Sequence, residues 1–80
     1  MNVLFLNHKK KQCGVYQYGL RIYNILKLTK DINYEYYELD CVEEYNYITS
    51  KNNYYAIIYN YHVATMSWLN ANNIRKDILL

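Results

Sequence analysis

The sequence is short of cysteine, and its two cysteines are placed where they favour neither a disulfide framework nor a zinc site. Cys13 and Cys41 are far apart, with no CxxC pair and no companion cluster of histidines. Structural zinc sites and small disulfide-rich domains usually show such spacings. We therefore expect two reduced structural thiols, with no metal ion and no cofactor.

The sequence also lacks a strong excess of charge of either sign. Nine basic and seven acidic residues give a net charge of +2, and Lys9–Lys11 is the basic cluster that stands out. General nucleic-acid binding usually depends on a larger basic field. The composition therefore argues against a nucleic acid as partner.

Long apolar runs are absent as well. No run approaches the ~20 residues that span a bilayer, and the N-terminus lacks a charged segment followed by a signal-peptide core. We therefore expect a cytoplasmic protein without a membrane span. A hydrophobic fraction of 52% and an aromatic fraction of 18% in 80 residues are typical of one small packed domain.

The apolar pattern predicts strands that alternate with helices. Four consecutive apolar residues near the N-terminus are typical of a strand that is covered on both faces. The predicted elements, in order, are a strand at Asn2–Asn7, a helix at Val15–Thr29, a strand at Tyr34–Leu39, a helix from Cys41 to about Ser50, a strand at Tyr54–Tyr61, a short helix within His62–Asn70 and a last strand at Ile78–Leu80. That last strand either closes the sheet at its fourth position or marks a point where a longer protein has been cut.

The first predicted helix has an apolar stripe that should face the sheet. Residues at 3.6-residue spacing define it, and further apolar residues widen it. The stripe consists of Val15, Gly19, Ile22 and Leu26, widened by Tyr18, Ile25 and Leu28.

Alternating strands and helices predict an α/β fold with parallel strands and right-handed crossovers. We expect a three-layer Rossmann-like half-fold whose small parallel sheet has the order 3-2-1, or 3-2-1-4 if the last strand joins it. Helices should flank the sheet on both faces. Residues 1–80 then form a single Rossmann-like domain.

The loop after the first strand is the first candidate binding segment. Ligands of open parallel sheets bind beyond the carboxyl ends of the strands, and free amides at a helix N-terminus favour an anion. Gly14 would allow a close approach of the backbone or a positive φ. The sequence has neither the G-x-G-x-x-G nor the P-loop motif. A solvated basic turn and a phosphate-handling loop therefore both remain open on the residues alone.

Two histidines follow predicted strands. His8 follows the first strand and His62 the third, so both should lie at the carboxyl edge, where acid-base residues are usually placed. The expected strand order puts the second strand between them, so we do not expect them to act together. Each is either a ligand contact or a loop residue.

Other polar residues have simpler explanations. Cys41 should begin the second helix, but no base lies near it in the sequence to make it a nucleophile. Glu38 and Asp40 stand where an acidic residue could hold a ribose, although helix capping explains Asp40 without a ligand. Met66 and Trp68 are expected to pack in the core rather than stack on a base or a sugar.

The segments NVLFLNHKKKQCGVYQYG and YYAIIYNYHVATMSWL, with a helix between them, resemble the N-terminal domain of GT-B type glycosyltransferases. The likeness covers nearly all of the chain and depends on the ordered combination. It implies a two-domain enzyme that transfers a sugar from a nucleotide-sugar donor to a sugar-type acceptor. These 80 residues would form the acceptor side and one wall of the cleft, and they would not be active alone.

The resemblance also implies which residues face the ligands. The loop near the donor phosphates would be Cys13 and Gly14 with Lys11 and His8, and Lys9–Lys11 would add charge there. The acceptor side would include Tyr16, Gln17, Asn60 and His62. The family loop commonly has two adjacent glycines where this chain has Cys13-Gly14, and no catalytic residue is assigned. The E-x7-E spacing of Glu35 and Glu43 is treated as coincidence, because these residues fall in the wrong half of the fold.

Two other functional classes were weighed against this one. The first is a non-catalytic half-Rossmann module that binds a partner or associates with itself through a sheet edge or a helix face. The second is a flavodoxin-like or response-regulator-like phosphate receiver. The sequence lacks the acidic cluster that such a receiver needs after its first strand.

Overall fold

A computed structural model describes residues 2–51, 53–62, 65–69 and 78–79 of the chain. Strands and helices alternate along these residues. The elements are β1 (Asn2–Asn7), α1 (Gly14–Leu26), β2 (Asn33–Glu38), α2 (Val42–Lys51), β3 (Ala56–Tyr59) and β4 (Ile78–Leu79). The fold is therefore a small α/β structure, as the sequence predicts.

The strands form one parallel sheet in the order β2-β1-β3-β4. Phe5 of β1 lies opposite Tyr36 of β2 on one side and opposite Ile58 of β3 on the other. The predicted order 3-2-1 is therefore wrong, because β3 pairs with β1 and not with β2. The last strand does join the sheet, but it pairs with β3, whereas the predicted order 3-2-1-4 placed it beside β1.

The residues of β2 explain why it lies at the edge of the sheet. Its sequence NYEYYE includes Glu35 and Glu38, and no residue of the strand is fully buried. In contrast, β1 is buried over five of its six positions and β3 over three of its four. Burying the two carboxylates of β2 between two apolar strands would be costly. β2 therefore stays at the edge, and β3 pairs with the other side of β1.

The two faces of the sheet have separate cores. Val3 and Phe5 of β1 pack with Ile58 against α1, whereas the alternate residues of β1 pack on the other face with Tyr45 and Ile48 of α2. This alternation follows from the two-residue period of a strand. The sheet is covered by a helix on each face, which gives the three layers that the sequence predicts.

Helix α1 faces the sheet with the predicted stripe of Gly19, Ile22 and Leu26, but the residues that widen this stripe differ from the expected ones. Its buried residues are Tyr16 and Gly19, and the partly buried Ile22, Tyr23 and Leu26 continue the same face. The three residues expected to widen the stripe are exposed: Tyr18 at 56%, Ile25 at 61% and Leu28 at 77%. The prediction that these three residues widen the sheet-facing stripe was wrong, because they face away from the sheet.

Helix α1 also ends at Leu26, three residues before the predicted end. The amides of Leu28 and Thr29 donate to the carbonyls of Ile25 and Leu26, each three residues back. Such bonds tighten the last turn and end an α-helix.

The segment after β3 is a set of turns where the structure describes it. A short helix is predicted within His62–Asn70, but residues 65–69 form turns, with Met66 N–H donating to the His62 carbonyl at 2.8 Å. Met66 and Leu69 are buried and Trp68 packs against them, as expected for core residues. Among the helices in the described ranges, none is long and apolar enough to cross a membrane.

Candidate functional site at the carboxyl ends of β1 and β3

The carboxyl ends of β1 and β3 meet at the point where the chain changes direction across the sheet. The connection after β1 leads to β2 on one side, and the connection after β2 returns to β3 on the other side. Ligands of open α/β sheets bind in the crevice at such a switch point. The residues that directly follow β1 and β3 are therefore the first place to look for chemistry.

An asparagine stands at each of these two strand ends, and the two side chains are hydrogen-bonded. Asn60 Nδ2 donates to Asn7 Oδ1 at 2.9 Å, and both residues are buried. The same two amides reach the first turn of α1, where Asn60 Nδ2 donates to the Val15 carbonyl at 2.8 Å and Asn7 Nδ2 to the Tyr16 carbonyl at 3.2 Å. This pair of amides fixes the N-terminus of α1 over the sheet. Asn60 therefore positions the helix instead of facing an acceptor.

Of the two glycines, Gly19 is the one the structure requires. A Cβ at Gly19 would meet Asn60 Nδ2 at 2.0 Å and Asn60 Cγ at 2.6 Å. Gly14 has nothing within 4 Å of its Cβ position and does not have a positive φ. Of the two possibilities given for Gly14, the positive φ is wrong, because Gly14 begins α1, and the close approach of its backbone to a ligand stays a prediction.

His8, Cys13 and His62 come together beside the asparagine pair. The His8 and His62 rings are stacked, with their centroids 4.7 Å apart and an angle of 21° between their planes. Cys13 Sγ lies 3.6 Å from His62 Nε2. The expectation that the two histidines do not act together is wrong, because it depended on β2 lying between β1 and β3. Cys13 and Cys41 are both free thiols, and Cys13 is the one in contact with a histidine.

Both histidine rings are held by their Nδ1 atoms. His62 Nδ1 is 2.9 Å from Thr65 Oγ1, and His8 Nδ1 accepts the Lys10 N–H at 3.2 Å. His8 Nε2 is buried and has no hydrogen-bond partner among the residues that the structure describes. Burial, followed by the nearby charges of His62 and Lys10, lowers the pKa of His8, so its ring is neutral at pH 7.

Two tyrosines donate to one carboxylate at the end of β2. Tyr16 Oη donates to Glu38 Oε2 at 2.5 Å, and Tyr36 Oη donates to the same oxygen at 2.7 Å. The hydrogen bond to Glu38 and burial raise the pKa of Tyr16, and burial together with Glu38 raises that of Tyr36. Both hydroxyls therefore remain protonated donors. With its Oε2 accepting both of them, Glu38 is committed to this network and not to a ribose.

The lysine cluster is divided between two roles. Lys9 Nζ pairs with Glu44 of α2 at 3.2 Å and with Asp40 at 3.7 Å, which ties the loop to the second helix. Lys10 and Lys11 are exposed, and the Lys11 carbonyl accepts the Gln17 side-chain amide at 2.7 Å. The charge of Lys9 is therefore partly neutralised by the carboxylates of Asp40 and Glu44, whereas the charges of Lys10 and Lys11 face the solvent.

The Glu44 carboxylate is the centre of the contacts near α2. Hydrogen bonds from the Asp40 side chain and backbone amide, and then the Lys9 ammonium, lower the pKa of Glu44 to about 2. A backbone hydrogen bond at Glu44 lowers the pKa of Cys41, but burial and the Glu43 and Glu44 carboxylates together raise it above its usual value. Cys41 is therefore not an activated nucleophile, in line with the sequence-based expectation.

A separate groove of about 420 Å³ lies on the outer side of α2 and β2. It is lined by Tyr37, Tyr47 and Lys51 among others. The Lys51 ammonium sits 5.6 Å from the Tyr37 ring centre and 5.5 Å from that of Tyr47. This cation contact stabilises the local surface. The carboxylates of Glu43 and Glu44 also line the groove, and Glu44 is already paired with Lys9.

No protein-family model matches this chain, and neither a curated protein nor a solved structure matches it at the level taken as significant. The resemblance to glycosyltransferases therefore stays a prediction. Any function has to be inferred from the residues at the ends of β1 and β3.

Sequence reasoning placed His8, Cys13 and His62 at this edge but did not bring them together. It missed Asn7, Tyr36 and Thr65, which orient the site. A signal for the asparagines was present, because each directly ends or follows an apolar strand, where a buried amide needs partners.

Proposed function

We propose that this chain forms the acceptor-side wall of a sugar-transfer cleft, as the N-terminal part of a two-domain glycosyltransferase that uses a nucleotide-sugar donor. The observation that carries the proposal is the convergence of His8, Cys13 and His62 at the switch point between β1 and β3. By itself the chain supplies one wall, so we expect binding without turnover.

The N-terminus of α1 supports a role in holding the donor phosphates. Cys13 is the N-cap residue and makes no side-chain hydrogen bond to the helix. The first amides of a helix without such a cap are free to donate to an anion, and the helix dipole favours negative charge there. The exposed Lys10 and Lys11 add point charges beside this position.

The partly exposed side chains at the crevice support contacts to a sugar acceptor. His62 and Cys13 are half-buried, whereas Asn7 and Asn60 are buried and engaged in fixing α1. A histidine held by its Nδ1 can exchange a proton or a hydrogen bond with a hydroxyl through Nε2. We expect His62 to contact the acceptor. The asparagine pair holds α1 in place over the ends of β1 and β3, beside His62.

The test is a titration of the ¹⁵N-labelled chain with a panel of nucleotide-sugars and simple glycosides, followed by amide chemical shifts. We expect weak binding, with shifts concentrated at residues 8–16 and 60–62. Shifts confined to the groove of Tyr37 and Tyr47, or silence across the whole panel at millimolar concentration, would overturn the proposal.

Two matched lysine variants make the test sharper. Lys11→Gln removes a charge beside the N-terminus of α1, and Lys27→Gln removes one at the other end of the same helix. Both lysines are exposed, so both variants should fold. We expect Lys11→Gln to weaken nucleotide-sugar binding by roughly 2- to 5-fold, the range of an exposed charge contact, and Lys27→Gln to leave it unchanged. Equal effects of the two variants would mean that the ligand responds to the overall charge of the chain and does not bind at the N-terminus of α1.

Self-association is a second candidate function, favoured by the outer face of α1. Tyr18 and Ile25 are exposed on this helix, and Leu28 is exposed in the turn just after its end. Exposed apolar side chains that share a stripe often mark an interface, here with a second copy of the chain. Light scattering at increasing concentration tests this, with Ile25→Lys as the variant. A strict monomer at high concentration removes this candidate.

A further inference from the structure

We propose that His8, Cys13 and His62 form a binding site for a divalent transition metal ion, with Zn²⁺ as the preferred ion and one coordination position left open. The three residues come from separate parts of the chain, and their potential ligand atoms all lie within 4.8 Å of one another. This proposal does not depend on the proposed function, because a metal site at this edge could serve any ligand.

The spacing of the sulfur and nitrogen atoms fits a tetrahedral ion. With Zn–S of about 2.3 Å and Zn–N of about 2.05 Å, a tetrahedral angle places the two ligand atoms about 3.6 Å apart. Cys13 Sγ and His62 Nε2 are 3.6 Å apart. Cys13 and His62 therefore already have the separation of two ligands on one tetrahedral ion, and the ligand atom that His8 offers lies within 4.8 Å of those that the other two offer.

The second observation is the unsatisfied nitrogen of His8. The side chain is fully buried, and its Nε2 has no hydrogen-bond partner in the described part of the chain. A buried polar atom without a partner is costly, and a metal ion would satisfy it. Binding through Nε2 places the ring proton on Nδ1, so the Lys10 amide must release Nδ1, which the exposed position of Lys10 allows.

The other histidine already has an outer-shell partner. His62 Nδ1 is 2.9 Å from the Thr65 hydroxyl, so Nδ1–H can donate to Oγ1 and leave the Nε2 lone pair directed at Cys13. Metal-bound histidines almost always donate their other ring N–H in this way. Thr65 is therefore a positioning residue for the ion.

The open position follows from the number and burial of the ligands. His8 is buried, but Cys13 and His62 are half-exposed, so an ion can enter from the crevice and be reached from it. Three protein ligands with a fourth position for water or substrate are typical of catalytic zinc sites, whereas structural sites have four. On binding, the Cys13 thiol loses its proton to the solvent and becomes the thiolate ligand.

A second group of potential ligands in the chain serves as an internal control. Asp40, Cys41 and Glu44 also bring three ligand atoms together, but Asp40 is exposed and Glu44 is already paired with Lys9. Nothing at this second group is buried and unpartnered in the residues described. Each group has one of the two cysteines, so thiol variants distinguish between them.

The test is titration of the reduced, chelator-treated chain with Zn²⁺ by calorimetry and with Co²⁺ by absorption. We expect one ion per chain and a near-ultraviolet thiolate-to-cobalt charge-transfer band. Zn²⁺ should also move the amide resonance of Lys10 more than that of Lys27. No saturable heat and no charge-transfer band would overturn the proposal.

Single substitutions assign the ligands. Cys13→Ser and His62→Asn should each weaken Zn²⁺ binding by at least the 10- to 100-fold that the loss of an outer-shell partner typically costs, and Thr65→Val should fall in about that range. Cys41→Ser should bind within about threefold of the parent. Because Cys13 and His62 are half-exposed, both variants should fold, which circular dichroism checks. Loss of the cobalt thiolate band in Cys41→Ser, with the band kept in Cys13→Ser, would refute the assignment.

Discussion

Replacing Gly19 with alanine tests the packing of α1 against the asparagine pair. The added Cβ would lie 2.0 Å from Asn60 Nδ2 and 2.6 Å from Asn60 Cγ, where an ordinary contact needs more than 3.4 Å. The Asn60 amide must therefore move by about an ångström or more. It cannot do so freely, because Asn60 is buried and donates to Asn7 Oδ1 and to the Val15 carbonyl.

Two opposing contributions set the size of the effect. Alanine is more favourable than glycine inside a helix by about 1 kcal/mol. Disrupting the two buried hydrogen bonds of Asn60 costs about 1–3 kcal/mol for each group left unsatisfied. Two such groups cost about 2–6 kcal/mol, which outweighs the gain of about 1 kcal/mol, so we expect Gly19→Ala to lower the free energy of unfolding by about 1–5 kcal/mol. For a domain of this size, with a total of roughly 4–12 kcal/mol, that is a large fraction.

The assay is urea unfolding followed by far-ultraviolet circular dichroism and by the fluorescence of Trp68. Gly14→Ala is the matched control, because its Cβ would meet nothing within 4 Å, and we expect a change within about 0.5 kcal/mol. Asn60→Ala makes room for the new methyl group, so the double variant with Gly19→Ala should lose at least ~1 kcal/mol less than the sum of the single losses. The reasoning is refuted if Gly19→Ala is as stable as the parent, or if the double-variant losses simply add.

Three further predictions concern Glu38, Glu44 and the core. Glu38→Gln removes a charged acceptor from the Tyr16 and Tyr36 hydroxyls and should cost about 1–3 kcal/mol in urea unfolding at pH 7; an unchanged midpoint would contradict the network. Because the folded pKa of Glu44 is lowered to about 2, its contribution is present above its ordinary pKa of 4.5 and is lost as the pH falls towards 2. Glu44→Gln should therefore flatten the pH profile of stability between these values, by no more than ~1 kcal/mol since the side chain is about a third exposed, and an unaltered profile counts against the ion pair. Leu4→Ala should cost about 2–5 kcal/mol in thermal unfolding because Leu4 is fully buried, and a loss below 1 kcal/mol would mean that the two-faced core is wrong.

The strands were predictable because their apolar residues identify them locally. Asn2–Asn7 is found as predicted, since four consecutive apolar residues fit only a strand covered on both faces. The ends of β3 were harder to place, because the tyrosines on either side of Ala56–Tyr59 suit a strand or a loop equally well.

Strand order could not be predicted from local patterns, and the candidate site depended on it. Whether β3 pairs with β2 or with β1 is decided by whether β2 can tolerate neighbours on both sides, and the two glutamates of β2 are the physical reason that it stays at the edge. The same error separated His8 from His62. The role of Gly19 was likewise hidden, because it arises from an asparagine that follows β3 and reaches α1 only in the folded chain.

The Asn7–Asn60 hydrogen bond joins residues 53 positions apart. The stretch from β1 to α2 therefore cannot assemble the site until Asn60 and His62 have been synthesised. Contacts of such sequence separation form late and slowly compared with the local turns of α1. Any ion or ligand that binds at this edge binds the completed sheet and not its parts, so it shifts the folding equilibrium by mass action. For a chain with so small a core, occupancy of the site would then be measurable as stability before any activity is known.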